Sequence, residues 1–253
     1  RQRSHGRVMP GGNGGRKLVY WTAHAPGETT MNVSEALATR KTCRAFKDTP
    51  VSEGLLREIL TTALRAPSGG NLQPWRVYAV TGAVQQAIVD EVQEKMKTTP
   101  RGEGAEYHIY PPELTEPYKT RRFQVGEGMY AALGIPREDK AARLTWFARN
   151  YAFFGAPAAL FFTMDRQMQE GQWSDCGMFM QSIMLLAREH GLHTAAQEAW
   201  AVWTPTVVKA LNIPDNEMLF CGVAIGYEDE SHPIASFRSE RVPVDEIVSF
   251  HGF

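Results

Sequence analysis

The sequence predicts one α+β domain in which helices flank a central sheet. Three apolar stretches of strand length, at residues 76–81, 158–163 and 218–227, are separated by irregular numbers of helical patterns. An irregular mixture of strands and helices is typical of α+β folds, whereas parallel α/β folds alternate the two regularly. Neither an internal repeat nor a linker interrupts residues 31–253, so we expect one domain over that range.

The first helix is expected to begin after Asn32. Asn32 and Glu35 have the spacing of a capping box, and the helix that they start ends near residue 40. Ser52 is suited to cap a second helix, whose apolar residues recur with the period of a face packed on a core. Pro67 cannot continue a helix, so this one stops before it.

Further helices are predicted between and after the strands. Residues 158–163 form a continuous apolar run, which indicates a strand buried on both faces. Gly191 follows a helical pattern rich in methionine and leucine, at the position that a helix C-terminus favours. The predicted helices cover residues 84–97, 118–133, 139–154, 174–190 and 205–211.

Composition and charge argue against several classes of protein. The 253 residues carry a formal net charge of -1, which gives no bulk electrostatic attraction to nucleic acid or to an anionic membrane. No apolar run reaches the roughly 18 residues of a membrane span. Cys43, Cys176 and Cys221 are too few and too scattered for a disulfide framework or a cysteine zinc site. We therefore expect a soluble protein of the cytoplasm.

Residues 1–30 differ from the rest of the chain. They contain six glycines and five basic residues, with no acid before Glu28. They lack the apolar centre of a signal peptide. The pattern favours a flexible N-terminal arm or leader, and an arm that wraps around a partner subunit is the alternative.

Two short sequence patterns are only weak indications of a binding site. Residues 126–131 match the letters of a dinucleotide fingerprint, but a polar helical pattern precedes them where a buried strand is required. His190 and His193 lie on either side of a helix end. Helix capping or solvent exposure is a simpler interpretation of these two histidines than metal binding. We expect no metal site.

Residues 40–46, RKTCRAF, have the chemistry of a phosphate site. Arg40, Lys41 and Arg44 supply three cations within five residues, and Thr42 adds a hydroxyl. A phosphate monoester binds such charge-assisted donors. Basic residues after a helix also complement the helix dipole, so the pattern by itself leaves both interpretations open.

Residues 67–75, PSGGNLQPW, form the second notable stretch. Its prolines and glycines predict a tight exposed loop, from which Ser68, Asn71 and Gln73 extend short polar side chains. A flat heteroaromatic ring edged with carbonyl and N–H groups would use such side chains. A plain connecting loop rarely needs so many hydrogen-bonding groups.

Together these two stretches resemble the FMN-dependent nitroreductase family. The family shows Arg-Arg/His-Ser-x-Arg/Lys-x-Phe and then Pro-Ser-x-x-Asn-x-Gln-Pro-Trp, with a helix between them. Residues 191–197, 211–227 and 237–243 are similar to later family segments, so the resemblance covers about residues 31–253. Within the family it is nearest to reductases of nitrobenzoate-like nitroaromatics. Thr42 departs from the usual serine but keeps the hydroxyl.

The resemblance implies a nitroreductase-like fold, with a central mixed or antiparallel sheet, and a homodimer with FMN at the subunit interface. It assigns cofactor-binding roles residue by residue. The FMN phosphate and ribityl chain would be held by Arg40, Lys41, Thr42 and Arg241. Arg44 would lie near the pyrimidine side of the flavin ring. The other subunit would contribute Pro67, Ser68, Gly69 and Asn71, and Gln73 would also bind the cofactor. The N5 edge of the ring would be lined by Ala196, Gln197 and Glu198.

The implied activity is reduction of a small nitroaromatic or quinone-like compound by NADH or NADPH, in a ping-pong reaction without a catalytic side-chain nucleophile. Two alternatives stay open, namely a same-fold reductive dehalogenase and a non-enzymatic FMN-binding protein. Glu116, Tyr118 and Lys119 have the residue types of a dehalogenase lid but lie very close together. The basic stretch at 113–133 is either a solvated helix face or a cover that attracts an aryl carboxylate or the phosphate of NADPH.

Overall fold

A computed structural model describes residues 31–253, and the predicted N-terminal arm at 1–30 lies outside the described residues. The described part contains seven α-helices and four strands. The helices are α1 (Val33–Thr39), α2 (Glu53–Ala63), α3 (Gly82–Met96), α4 (Tyr118–Ala132), α5 (Lys140–Ala148), α6 (Glu170–Glu189) and α7 (Thr204–Leu211). The strands are β1 (Trp75–Thr81), β2 (Ala158–Asp165), β3 (His193–Gln197) and β4 (Glu217–Gly226).

The strands form one antiparallel sheet in the order β1-β2-β4-β3. The central strands β2 and β4 are buried almost throughout, as the continuous apolar runs predict. Side chains of β2 and β4 alternate between two faces of the sheet. One face packs against α2 and α6, and the other against α3, α7 and the 3-10 segments beside them. The predicted α+β architecture, with helices flanking a central sheet, is confirmed.

The predicted helix ends follow from side-chain hydrogen bonds and backbone conformation. Asn32 accepts the N–H of Glu35 at 2.9 Å, and Ser52 accepts that of Leu55 at 3.2 Å. Gly191 has a φ of 72°, the left-handed conformation that lets the chain leave α6. These local signals placed the starts of α1 and α2 and the end of α6 close to their observed positions.

Two predicted helices have different boundaries in the structure. The helix expected at 139–154 ends at Ala148, and a 3-10 segment, Arg149–Gly155, follows it. Phe153 and Phe154 have φ values of 49° and 55°, which break the α-helix, and both rings are buried. The α6 helix begins at Glu170, one turn before the predicted residue 174, because Gln169 forms a capping box with Gln172.

Strand β3 has no counterpart among the predicted strands. Its five residues run antiparallel to the end of β4, from His193 opposite Gly226 to Gln197 opposite Gly222. So short a segment has no recognisable period, and pairing with β4 makes it a strand. This edge of the sheet carries the segment with the phosphate-site chemistry.

Candidate functional site

The RKTCRAF segment covers the free edge of β3. Thr42 forms a parallel bridge to Thr194, and the N–H of Cys43 donates to the carbonyl of Thr194 at 3.0 Å. Phe46 then forms an antiparallel bridge to Glu228, just after β4. The cations of this segment therefore lie on a fixed backbone beside β3 rather than on a free loop.

Lys41 is bound by groups of the protein. Its ammonium lies 2.6 Å from Oε1 of Glu228, and both side chains are nearly buried. It also donates to the carbonyl of Ala235. His193 Nε2 lies 3.5 Å from the other carboxylate oxygen of Glu228. The predicted role of Lys41 at a phosphate stays a prediction, and the structure gives it an ion pair that anchors the segment to residues 228–235.

Arg40 and Arg241, 201 positions apart in the sequence, lie near enough for their charges to interact. Burial and the charge of Arg241 both lower the pKa of Arg40. The Nε of Arg40 is buried without a hydrogen-bond partner among residues 31–253. Arg241 is exposed and donates to groups of its own neighbours Ser239 and Glu240. Two neighbouring guanidinium groups repel each other, and an anion between them would relieve that repulsion.

A cavity of about 690 Å³ opens beside the end of β3. Four of the predicted residues line it, namely Arg44, Ala196, Gln197 and Glu198. Aromatic and methionine side chains form much of the remaining wall, from α4, α5, the 3-10 segment after α5, and α6. A flat apolar ring with a polar edge suits a cavity of this size and lining.

Arg44 places a positive charge in this cavity. Burial lowers the pKa of Arg44, and no carboxylate among the residues from 31 onward pairs with it. Because the guanidinium pKa starts near 12.5, the group keeps its charge at neutral pH. An unpaired, largely buried cation attracts an anionic or electron-rich group of a ligand.

The end of β3 presents alternate side chains to the cavity. Ala196 and Glu198 line it with solvent-accessible surface, and partial desolvation of the Glu198 carboxyl by the surrounding residues raises its pKa. Gln197 is buried, and its Nε2 donates to the carbonyl of Asn150 at 2.7 Å. The Oε1 of Gln197 has no partner within the described part of the chain. Asn150 thus fixes the amide of a predicted cofactor-binding residue.

The PSGGNLQPW loop lies outside this cavity. Pro67, Gly69, Asn71 and Gln73 are exposed, Ser68 is partly buried, and none of the five contributes to the cavity wall. The loop contains a 3-10 turn, Gly69–Asn71. A single chain therefore does not bring the two motif segments to one cavity, and the predicted contribution of the loop to the other subunit's site stays a prediction.

Helix α4 supplies one wall of the cavity and has no buried residue. Arg122 lines the cavity, with its guanidinium carbon 4.0 Å from the centre of the Tyr110 ring. Arg121 faces elsewhere, 3.7 Å from Glu246, and Lys119 lies in an adjoining depression. Glu116 accepts the N–H of Thr120 at the start of α4. Of the basic residues in this segment, Arg122 alone reaches the cavity.

Sequence reasoning missed several cavity residues. The helical pattern of α6 predicted a core helix, but part of its surface faces the cavity, as do Tyr130 of α4 and Phe147 of α5. The missed residues include Tyr110, Tyr130, Phe147, Asn150, Met180, Gln181, Met184 and Phe220. Small and polar interruptions in the apolar pattern of α6, such as Gly177 and Gln181, were the available signal.

The weaker patterns have structural explanations. Residues 126–131 lie within α4, so the letters of a dinucleotide fingerprint occur there by chance. No group of three or more His, Cys, Asp or Glu side chains within residues 31–253 is arranged to hold a metal ion. No helix in that range is both long and apolar enough to cross a membrane.

The α+β fold with an aromatic-walled cavity beside the sheet edge is that of a protein that binds a flat small molecule. Comparison with known proteins identifies its family. The sequence profile described as the Nitroreductase family matches residues 37–227, and the chain belongs to that family.

Individual relatives agree with this assignment. The chain is 36% identical over 226 residues to nitrobenzene nitroreductase of Ectopseudomonas oleovorans, covering 88% of this chain and 98% of the relative. It is 39% identical over 213 residues to 4-nitrobenzoate reductase of Nocardioides sp. (strain LMS-CY), covering 83% and 86%. The crystal structure of the FMN and NADPH-dependent nitroreductase NfnB of Sphigopyxis sp. strain HMH superposes with a TM-score of 0.85 at 48% identity, covering 88% and 100%.

Proposed function

We propose that this protein is an FMN-dependent oxidoreductase that uses NADPH or NADH to reduce nitroaromatic or quinone-like compounds. The observation that carries the proposal is the aromatic-walled cavity, which holds the unpaired cation of Arg44 beside the end of β3. The chain resembles enzymes named for nitrobenzene and 4-nitrobenzoate reduction over most of their length. A structural relative is described as FMN- and NADPH-dependent.

The residues of the chain fit FMN at two points. Arg44, Ala196 and Glu198 face a cavity wide enough for a flavin ring. Arg40, with its partnerless buried Nε, and Arg241 bring two positive charges together as a phosphate monoester requires. Thr42 lies half-buried between Arg40 and Arg44 in sequence and offers a hydroxyl. No second glycine-rich phosphate loop accompanies these residues in the sequence, which favours FMN over FAD.

The described residues supply binding, orientation and charge. Bound FMN would supply the redox chemistry, accepting a hydride from NADPH or NADH and passing electrons to the nitro group or quinone. Arg44 holds a positive charge in the cavity, which would stabilise negative charge on a reduced flavin ring bound there. None of the cavity-lining residues within 31–253 is a nucleophile activated by a neighbouring base, so these residues act through positioning and electrostatics rather than covalent catalysis.

We further propose that the active unit is a homodimer and that each site contains residues of both chains. The exposed loop offers Ser68, Gly69, Asn71 and Gln73 outside its own cavity. Large apolar side chains near the two motifs in sequence are also exposed, namely Val33, Leu37, Leu64 and Leu72. A twofold axis would cover this surface and give two equivalent sites.

The position of Arg122 points to the kind of aromatic substrate. Its side chain lines the cavity, and no carboxylate among the described residues forms an ion pair with it. A carboxylate on an aromatic substrate would bind this cation while the ring stays among the aromatic walls. The arrangement favours acids such as 4-nitrobenzoate over uncharged nitroaromatics.

Three measurements on purified protein test the activity. We expect about one FMN per chain, bleaching of the flavin by NADPH or NADH, and reoxidation by nitroaromatic compounds in a substrate panel. Released FAD or a colourless protein would contradict the cofactor. A flavin that NADPH reduces but that no nitroaromatic or quinone reoxidises would contradict the substrate class.

Subunit complementation tests the shared site. We expect Arg40→Ala and Asn71→Ala homodimers to be inactive, and subunit exchange between them to restore activity. If sites are shared, each heterodimer has one site with neither change. Absence of recovery after confirmed exchange would mean that each site is built within one chain.

A further inference from the structure

Asp175 is a buried acid outside the cavity wall. It lies in the second turn of α6 and is 4% exposed, and no ion pair among the described residues includes it. Its Oδ2 accepts the backbone N–H of Gly69 at 3.2 Å. Burying a carboxylate without a cation costs free energy, and apolar residues of similar size are often equally stable there. Core packing alone therefore does not account for this side chain.

Gly69 belongs to the loop at residues 67–73, whose other hydrogen bonds are internal. The N–H of Gln73 donates to Ser68 Oγ at 3.0 Å, and that of Asn71 donates to the Ser68 carbonyl at 2.9 Å. Within residues 31–253, the bond from Gly69 to Asp175 is the hydrogen bond that ties this loop to another element.

The backbone of the loop needs such support. Asn71 and Gln73 have φ values of 57° and 48°, in the left-handed region that side chains other than glycine disfavour. An exposed loop held in this conformation has alternatives of similar free energy unless an external contact fixes it. Directly after the loop, Trp75 stacks on Phe179 of α6 with ring centres 4.6 Å apart. Helix α6 thus fixes both ends of the loop.

We propose that Asp175 is a positioning residue that holds the loop of its own chain in the conformation required by the flavin site of the other subunit. The inference rests on the proposed FMN-dependent function and shared site. The same helix lines its own cavity through Gly177, Met180, Gln181 and Met184. Asp175 acts on the partner's site although its helix also belongs to the site of its own chain.

The first test separates positioning from general stability. In Asp175→Ala the Gly69 N–H loses its acceptor, and we expect the FMN dissociation constant to rise on the order of tenfold. Asp175→Asn keeps an acceptor oxygen and should restore near wild-type affinity. The apoprotein melting temperature should change little, since water can reach the exposed loop. Amide hydrogen exchange at residues 69–73 should be faster in the apoprotein of the Ala variant.

A matched control is Asp165→Ala, which removes a carboxylate that accepts the N–H of Gln167 at 3.0 Å in a different loop. This variant should keep wild-type FMN affinity. The positioning role is wrong if the wild type binds FMN and Asp175→Ala binds it equally well. It is also wrong if Asp175→Ala loses FMN affinity only in proportion to a fall in its melting temperature. In both cases the proposed function stands. A wild type that binds no FMN would overturn both.

The second test asks which site Asp175 serves. Heterodimers of one Asp175→Ala chain and one Arg44→Ala chain are purified with two affinity tags and titrated with FMN. If Asp175 acts on the partner's site, the Asp175→Ala chain pairs its own Arg44 with an intact loop, and each heterodimer has one site of wild-type affinity. If Asp175 acts within its own chain, both sites are damaged, no high-affinity site is found, and the proposal is overturned.

Discussion

The ammonium of Lys41 and the carboxylate of Glu228 form a nearly buried ion pair, with Nζ 2.6 Å from Oε1. Their side chains are 10% and 8% exposed. The pair joins the first motif segment to the chain that follows β4. A buried ion pair is costly to break by removing one partner, because the other charge stays buried without compensation.

We therefore expect Glu228→Gln to lower the free energy of unfolding of the apoprotein by about 3 kcal/mol. The double variant Lys41→Met/Glu228→Gln should be more stable than the sum of the two single changes predicts, because it leaves no unpaired charge. Urea denaturation of the wild type, Lys41→Met, Glu228→Gln and the double variant measures the interaction free energy between the two side chains. Losses that simply add would show that the two side chains do not interact.

His193 predicts a pH dependence of stability. Burial, and then the charges of Arg188 and Lys41, lower the pKa of His193 to about 4. In the unfolded chain an imidazole titrates near pH ~6.5, so between about pH 4 and 6.5 the unfolded chain binds the additional proton. The free energy of unfolding should fall as pH decreases through this window, by at most about 3 kcal/mol from this group.

The variant His193→Gln removes the titrating group and should flatten this dependence. Urea denaturation of the apoprotein at intervals from pH 7 down to pH 4.5 compares it with the wild type. The same slope in both proteins would mean that His193 is protonated equally in the folded and unfolded chains.

Arg241 should contribute to cofactor affinity and little to folding. In the described chain it donates to its neighbours Ser239 and Glu240, and its charge acts unfavourably on Arg40. Loss of a charge-assisted bond to phosphate should cost about 1.5–3 kcal/mol of FMN binding in Arg241→Ala. Fluorescence titration with FMN and the apoprotein melting temperature measure the two effects.

Arg238→Ala is a charge-matched control three residues away, because Arg238 donates to the Thr39 carbonyl. It should weaken FMN binding less than Arg241→Ala. A large fall in apoprotein stability with unchanged FMN affinity in Arg241→Ala would assign Arg241 a structural role instead.

Arg44 should set the reduction potential of bound FMN. Its unpaired charge in the cavity favours the anionic reduced ring. Replacing it in Arg44→Gln removes about 1.5–3 kcal/mol of that stabilisation, which corresponds to a fall of about 30–60 mV for a two-electron couple. Anaerobic titration against reference dyes measures the potential. An unchanged potential would show that Arg44 lies away from the reduced ring.

Arg122 should discriminate between charged and uncharged substrates. In Arg122→Gln we expect KM for 4-nitrobenzoate to rise about tenfold while KM for nitrobenzene is unchanged. Arg121→Gln is the control, since Arg121 lies 3.7 Å from Glu246 and does not line the cavity. A rise in KM for NADPH instead would mean that Arg122 binds the phosphate of the reductant.

Local pattern was enough to predict much of the fold. The caps at Asn32 and Ser52, the left-handed Gly191 and the apolar runs of β2 and β4 involve residues close in sequence, so their physics can be read along the chain. The two motif segments identified the family before any contact between elements was known, and the chain's membership of that family confirms the inference.

The sequence by itself determined the α+β class, most of the helices and the strands other than β3, and it predicted which residues bind the phosphate and the ring. Only the tertiary structure decided that Lys41 pairs with Glu228, that Asn150 holds Gln197, and that residues 67–73 are absent from the wall of their own cavity. These contacts join residues far apart in the chain, and which residues meet depends on how helices and strands pack. Packing is fixed by burial and complementarity between whole elements, which no local period or spacing records.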